Sequence, residues 1–367
     1  MTERRAPARL SGPVRVVGSG LLGTSIGLGL AGRGVEVIVD DVSPMARRLA
    51  VEYGAGRPPG PDDVPALVVV AVPPDVTGAV VAAELQRYPQ AIVTDVASVK
   101  AAILAEVRTS GADVTRYLGG HPMAGRERGG AVSARADLFS GRPWILARHE
   151  AVDPRAAGLV EALILDLDAT PVELDVEAHD QAVALVSHAP QLVASLLAAR
   201  LIDGPDAALG LSGQGLRDTT RIAAGDPALW VQILVANAGP VAEVLRPLRD
   251  GLDEVLTALG DIDGPTARRR LLETIAAGND GVARIPGKHG TSGRYTTLTV
   301  RVDDRPGELA RLLTEIGEER VNMEDLRLEH SPEAQVGFAE VSVLPAAAAP
   351  LADALAARGW ALLEADR

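Results

Sequence analysis

The sequence predicts an α/β protein in three parts: a parallel-sheet domain, an all-α second domain, and a small βαββαβ C-terminal domain of ferredoxin-like order. Three observations carry this. Short apolar runs alternate with helix-length segments over residues 14–176, the pattern of a mostly parallel sheet. From Glu177 to about residue 280 no two-residue alternation appears, only helical periodicity. Alternation returns at Tyr295 and recurs around two helical runs, giving the order βαββαβ.

Residues 1–13 are basic and contain proline, and they read as a flexible tail. Val14–Val17 is the first apolar run. It enters Gly18-Ser-Gly20-Leu21-Leu22-Gly23, a helical run to Ala31 follows, and Val35–Val39 ends in Asp40-Asp41. Strand, Gly-x-Gly-x-x-Gly turn, helix and strand-end acid together form the dinucleotide-binding fingerprint of a Rossmann-type domain. Gly18 permits the tight turn, Gly20 lets the backbone approach a pyrophosphate, and Gly23 lets helix and strand pack closely. Gly27 shares its helix face and extends that contact. The free amides at the helix start, including Leu21 and Leu22, suit an anion. Asp40 or Asp41 stands where a carboxylate binds the ribose hydroxyls; with no Arg beside them in the sequence, NAD is expected over NADP.

The run 66–72 reads as a strand buried on both faces, stopped by Pro73-Pro74 with Val72 at the cofactor edge. A further strand, 91–95, precedes Ser98, and the segment from Tyr117 opens into a glycine-rich loop holding His121. Strands near 143–147 and 169–173 flank a helix near 156–167, completing a domain of residues 14–176.

Residues 177–280 read as helices: one long run from Glu177 to Leu201 kinked at Pro190, then runs near 216–224, 229–249, 255–259 and 266–277. Residues 281–294 read as a linker. In 295–367, strands near 295–302, 322–330, 336–343 and from Trp360 surround helices ending near Gly317 and Arg358.

Composition excludes several functions. The chain has 367 residues, 47% hydrophobic but 2% aromatic, so Ala, Val and Leu must fill its cores. A net charge of −13 argues against nucleic acid and anionic membranes as partners. Without cysteine there is no disulfide, thiol nucleophile or thiolate metal site. Six scattered histidines and no HExxH leave no metal centre, and no Gly-x-Ser-x-Gly elbow is present. No secretion signal is expected, nor an uncharged apolar run of roughly 18 residues, so a cytoplasmic location is expected.

His121, at a strand's carboxyl end, can accept a hydroxyl proton while hydride leaves the same carbon; the alternative is a histidine bonded to loop backbone. Ser98 can orient His121, touch a nicotinamide amide, or cap the next helix. His188 and Gln191 share a helix face beside Pro190 and suggest a ligand pocket or a satisfied core, whereas His179 lies about half a turn round. Arg217 and Arg221, four apart, suit a carboxylate or a surface network through Asp218.

Assembled, these motifs resemble the prephenate dehydrogenases of tyrosine biosynthesis. The resemblance rests on Gly18 to Gly27, Asp41 to Pro44, Thr94 to Lys100, Gly120 to Glu127, Ser187 to Pro190 and Arg217 to Ala223, over about residues 14–280. It implies NAD as cofactor, prephenate or arogenate as substrate, and a homodimer formed by the helical domain. It makes His121 the base, Arg221 the holder of a carboxylate, and Ser98 the group that orients His121 and the nicotinamide. His188 and Glu127 would stand at the pocket, and Asp41 at the ribose. Gln191 stands where many members carry a histidine, which bears on the substrate side chain. Asp304, Pro306 and Gly307, with Asn322, resemble the effector-binding signature of an ACT domain, implying an aromatic amino acid such as tyrosine as effector. A β-hydroxyacid-type dehydrogenase is disfavoured because no lysine lies between Lys100 and Lys288. A non-catalytic NAD sensor would not need His121, His188 and Arg221 together.

Overall fold

The structure, a computed structural model, describes residues 7–125, 130–285, 295–330 and 336–363. Its chain forms two compact units, Met1–Leu248 and Arg249–Arg367.

In the first unit, strands β1 (Val14–Val17), β2 (Val37–Asp40), β3 (Leu67–Val70) and β4 (Ile92–Asp95) alternate with helices α1 (Leu21–Ala31), α2 (Pro44–Glu52), α3 (Pro74–Arg87) and α4 (Ala101–Thr109). The strands pair in parallel in the order β2-β1-β3-β4. Both faces are covered. Val14, Val16, Leu67 and Val69 pack with Ile26, Leu30 and Ile164 on one side, and Val68, Val70 and Val93 pack with Val81, Ile103 and Val107 on the other. A sheet buried on both faces calls for continuous apolar strands, which is what these segments are.

A second sheet, ordered β5-β6-β7, joins β5 (Gly119–Pro122), β6 (Pro143–Arg148) and β7 (Thr170–Asp175), with α5 (Pro154–Asp166) between the last two. A parallel bridge from Val93 to Tyr117 runs β5 alongside β4. The carboxyl ends of β1, β3, β4 and β5 therefore share one edge, where ligands of such sheets bind. The expected tail is partly tied down: the Arg9 and Leu10 amides donate to the buried carboxylate of Asp166, at 2.9–3.0 Å. That carboxylate, at the end of α5, needs donors, and the chain start provides them.

The long helical run is divided. Helix α6 (Val176–Val183) widens into a π turn over Ala184–His188 before α7 (Ala189–Ala199). Pro190 has no N–H and its ring crowds the carbonyl four residues back, so it sits in the first turn of α7 and the ladder widens ahead of it. Val176–Ala199 contains an 18-residue window of mean hydropathy 1.6 and by length and composition could cross a membrane, contrary to expectation. Its buried positions nevertheless include His179, Asp180, His188 and Gln191. Short α8 (Asp206–Leu209) and α9 (Gln214–Thr220) lead into a 3-10 turn, Arg221–Ala224. The expected helix 229–249 breaks at Asn237 into α10 (Pro227–Ala236) and α11 (Ala238–Gly260), bent by 95°.

In the second unit, α12 (Ala267–Ala283) carries on past Gly278 and Asn279, so residues 281–283 of the expected linker are helical. A helix of this length tolerates the roughly 1 kcal/mol cost of an internal glycine. Residues 286–294 of that linker lie outside the described residues. Then come β8 (Thr296–Asp303), α13 (Glu308–Glu318), β9 (Asp325–His330), β10 (Val336–Val343), α14 (Pro345–Ala357) and β11 (Ala361–Leu363). They give the expected βαββαβ order and an antiparallel sheet, β11-β8-β10-β9. Leu312 and Ile316 of α13 and Leu351 and Leu355 of α14 cover Val300, Ala339 and Val341 of this sheet.

Candidate active site

The glycine turn shows why Gly18, Gly23 and Gly27 must be glycine. Gly18 has φ +101°, and a Cβ there would lie 2.3 Å from the Ala71 carbonyl oxygen. At Gly23 a Cβ would lie 1.9 Å from the Gly18 carbonyl oxygen. Gly27 meets the Ala55 backbone rather than a strand, at 2.3 Å for the same test atom. At Gly20 nothing lies within 4 Å. That open space lies at the N-terminus of α1, where the first-turn amides of Leu21, Leu22 and Gly23 have no intrahelical acceptor. A dinucleotide pyrophosphate fits this cradle, and Val72 stands beside it after β3.

The two acids at the end of β2 differ. Asp40 is occupied: Arg15 Nη2 donates to it at 2.8 Å and Arg47 Nη1 at 3.1 Å. Burial acts upward on its carboxyl, but these guanidiniums outweigh it and hold the group below the usual range. An Arg does therefore sit beside the pair, brought there by α2. Asp41 instead accepts from the Ser19 backbone N–H at 2.7 Å and from its hydroxyl at 2.9 Å. Asp41 thus faces the glycine turn, while Asp40 is an ion-pair partner of Arg15 and Arg47.

At the same edge, β5 presents His121. Its Nδ1 lies 2.9 Å from His179 Nε2, and His179 Nδ1 lies 2.8 Å from Asp180 Oδ1. The Asp180 carboxylate also accepts from the backbone N–H groups of Lys100 and Ala101, both at 2.9 Å. His179 is fully buried and Asp180 is 3% exposed. Burial acts upward on the Asp180 carboxyl, but His179 and the two amides hold it below its usual range. His121 is pushed well below the ordinary imidazole range by burial, then by His179, Lys100 and His188. Its neutral form is therefore the favoured one.

His179, not Ser98, therefore fixes His121. Nor does Ser98 cap α4, whose N-cap is Lys100; Ser98 lies in the β4–α4 loop at the cofactor edge. Behind it, Lys100 Nζ is ion-paired with Asp95, which also accepts from the Tyr117 hydroxyl at 2.7 Å. Burial lowers the Lys100 ammonium against the pull of Asp95 and Asp180, and raises the Tyr117 phenol.

A cavity of about 760 Å³ is lined by Gly125, Ser187, Pro190, Gln191, Arg221 and Trp230, among others. Gln191 and Arg221 thus stand together, as expected. Arg217, one α-helical turn before Arg221, does not line it. His188 does not line it either. The π turn gives Ser187 to the cavity and buries His188, whose Nδ1 accepts from Asn237 Nδ2 at 3.0 Å and whose ring meets Trp230 edge-on. Burial holds His188 down at about 4. Glu127 lies outside the described residues.

In the second unit, Asp304, Pro306 and Gly307 form the turn into α13, with Gly307 at φ +96° as its N-cap. Asn322 precedes β9 and donates to Glu324 at 2.6 Å; the strand starts three residues later than expected, at Asp325.

Two family profiles match: prephenate dehydrogenase, nucleotide-binding domain, over residues 26–173, and prephenate dehydrogenase, dimerization domain, over residues 175–275. The chain belongs to the prephenate dehydrogenase family. It is 39% identical to a protein named probable prephenate dehydrogenase NovF from Streptomyces niveus, over 94% of this chain and 98% of the relative. Identity to the prephenate dehydrogenase of Bacillus subtilis is 25%, covering 90% of this chain and 91% of that one. Among solved structures, an Aquifex aeolicus prephenate dehydrogenase in complex with hydroxyphenyl propionate and NAD+ superposes with a TM-score of 0.66 at 25% identity, over 74% of this chain and 99% of that one. A Synechocystis arogenate dehydrogenase gives 0.61 at 28% identity, over 73% of this chain and 99% of that one.

As a prephenate dehydrogenase family member the chain is an NAD-dependent oxidoreductase and a homodimer. The dimerization match gives a reason for the exposed Leu252, Leu256, Leu259, Leu272 and Ile275, which would otherwise leave apolar surface in water. His179, Asp180 and Asn237, hydrogen-bonded around His121 and His188, are residues that sequence reasoning missed. A clue was available for one of them: the polar pair His179-Asp180 in an otherwise apolar helix.

Proposed function

We propose that the protein catalyses the oxidative decarboxylation of prephenate to 4-hydroxyphenylpyruvate, in the cytoplasm, as a step of tyrosine biosynthesis. The observation that carries this is a neutral, half-buried histidine, His121, at the cofactor edge of the sheet, together with a cavity lined by Arg221, Gln191 and Gly125, which lies four residues after His121. NAD+ on the Gly18–Gly23 turn supplies the hydride acceptor. His121 takes the proton of the ring 4-hydroxyl as hydride leaves the same carbon. The C1–carboxylate bond then breaks, its electron pair aromatises the ring, and CO2 departs. The phenolate oxygen takes a proton back, so the reaction has no net proton release. Arg221 holds a substrate carboxylate, for which its planar fork is suited. Ser98, in the β4–α4 loop, would touch the nicotinamide amide of the bound cofactor. For Arg221→Leu we expect KM to rise about 10- to 10²-fold with a smaller change in kcat, the range for loss of a hydrogen bond to a charged group. A fall in kcat at unchanged KM in steady-state assays would remove Arg221 from binding.

Arogenate, with an amino-acid side chain in place of the pyruvyl group, is the second reading. Gln191 favours it: this neutral amide at the cavity wall bonds only weakly to Ser195, at 3.4 Å, and offers both a donor and an acceptor. Comparing kcat/KM for prephenate and arogenate by NADH absorbance decides between them, and silence with both would sink the reading. We assign tyrosine as an effector at the second unit, on the Asp304–Gly307 turn and Asn322. Added to the same assay, tyrosine should lower the rate, and an unchanged rate at saturation would refute that role.

A further inference from the structure

The reaction needs a base that accepts a proton, holds it while the carboxylate leaves, and gives it back. Hydrogen-bond chemistry around His121 settles which ring nitrogen does this. Asp180 can only accept, since its carboxylate already takes the Lys100 and Ala101 amides at 2.9 Å. A neutral His179 therefore donates from Nδ1 across the 2.8 Å contact, which leaves its Nε2 as an acceptor. His121 must then donate from Nδ1 across 2.9 Å, so its Nε2 carries the lone pair.

We propose that His179 and Asp180 are positioning residues for the reaction: anchored on the first turn of α4, they hold His121 in the tautomer whose Nε2 is basic and share the positive charge while the proton is held. When Nε2 takes the hydroxyl proton, the Nδ1 proton can shift to His179 Nε2, and the cation then lies against the Asp180 carboxylate. The shift reverses when the phenolate recovers its proton, so the proton count balances with no path to solvent. The arrangement is the logic of a histidine oriented by a buried carboxylate, lengthened by one imidazole. Of the other charged groups nearby, Lys100 is neutralised by Asp95, and His188 turns its Nδ1 to Asn237.

This inference rests on the reaction proposed above, and its test separates the two. Long-range 1H–15N correlation on the full-length protein labelled at its six histidines, with His121 assigned through the His121→Asn variant, reads the tautomer without any substrate. We expect the proton on Nδ1 of His121; a proton on Nε2 would overturn the inference even in an active enzyme. Kinetics then compare His179→Gln, whose side-chain oxygen can accept from His121 Nδ1, with His179→Leu, which offers no acceptor. Expected is a fall in kcat of about 10²–10³ for the leucine variant and about 10-fold or less for glutamine, with KM and NAD affinity unchanged in both. Equal losses in both variants, or a loss confined to KM, would assign His179 a packing role only. If the leucine variant does not fold, the tautomer spectrum and the glutamine variant still decide. A wild-type protein silent with both substrates, yet showing the Nδ1 proton, would sink the proposed reaction and leave the tautomer assignment standing.

Discussion

Replacing His121 by asparagine is expected to lower kcat by about 10²–10⁴, the range for loss of a positioned general base, while NAD binds as before. Asparagine can keep a hydrogen bond towards His179, so the pocket loses little besides the basic nitrogen. The cofactor turn lies on β1 and α1, away from β5, so an NAD titration should not respond. The pH profile of the wild-type enzyme supplies a second check. Burial, His179, Lys100 and His188 all disfavour the imidazolium, so His121 stays neutral well below the ordinary imidazole range. Because activity needs the neutral form, kcat/KM should remain level as pH falls through 6.5 and drop only at lower pH. A midpoint at or above the ordinary value would mean that His121 is not the group that titrates. An unchanged kcat in the asparagine variant would remove His121 from the mechanism altogether.

What the sequence made legible was whatever is decided locally. The glycine turn reads directly because its spacing is contiguous and part of its steric demand is local, the Gly18 carbonyl oxygen against Gly23, although Gly18 itself is pressed by the distant Ala71 carbonyl. His121 reads because a strand's carboxyl end and its glycine context are contiguous. The missed residues all depend on phase or on distant partners. An α-helical count set His179 half a turn from His188, but the π turn at Ala184–His188 shifts the phase and both become buried. The same turn moves His188 out of the cavity wall that its neighbours Ser187 and Gln191 form. Asp40 and Asp41 cannot be told apart from their order. Arg15, on the neighbouring strand, and Arg47, on α2, occupy Asp40 and leave Asp41 to the glycine turn. Asn237 reads as one more residue of an apolar helix, yet its amide donates to the Asp180 carbonyl at 2.8 Å and to His188 at 3.0 Å. The bend between α10 and α11 falls at this residue.

Gly23→Ala and Gly20→Ala should differ in kind, and the contrast tests the cofactor site without any appeal to turnover. At Gly23 the new methyl would sit 1.9 Å from the Gly18 carbonyl oxygen and 3.2 Å from Ala71 Cβ. The closer of these is main chain and cannot swing aside, so α1 must shift from β1. Overpacking of this kind costs about 1–3 kcal/mol. The cost falls on the turn that presents the first-turn amides, so NAD affinity should drop by about 10- to 10²-fold and Tm should fall as well. At Gly20 the methyl meets no protein atom within 4 Å, and its backbone angles, φ −72° and ψ −158°, suit any residue. Tm should therefore hold or rise slightly, since alanine narrows the unfolded ensemble. NAD affinity should still fall, because the methyl enters the space reserved for the pyrophosphate. Calorimetry with NAD titration reads both quantities. A Gly20→Ala protein that binds NAD normally would place the pyrophosphate elsewhere, whereas parallel losses of stability in both variants would mean that the open space is closed in solution.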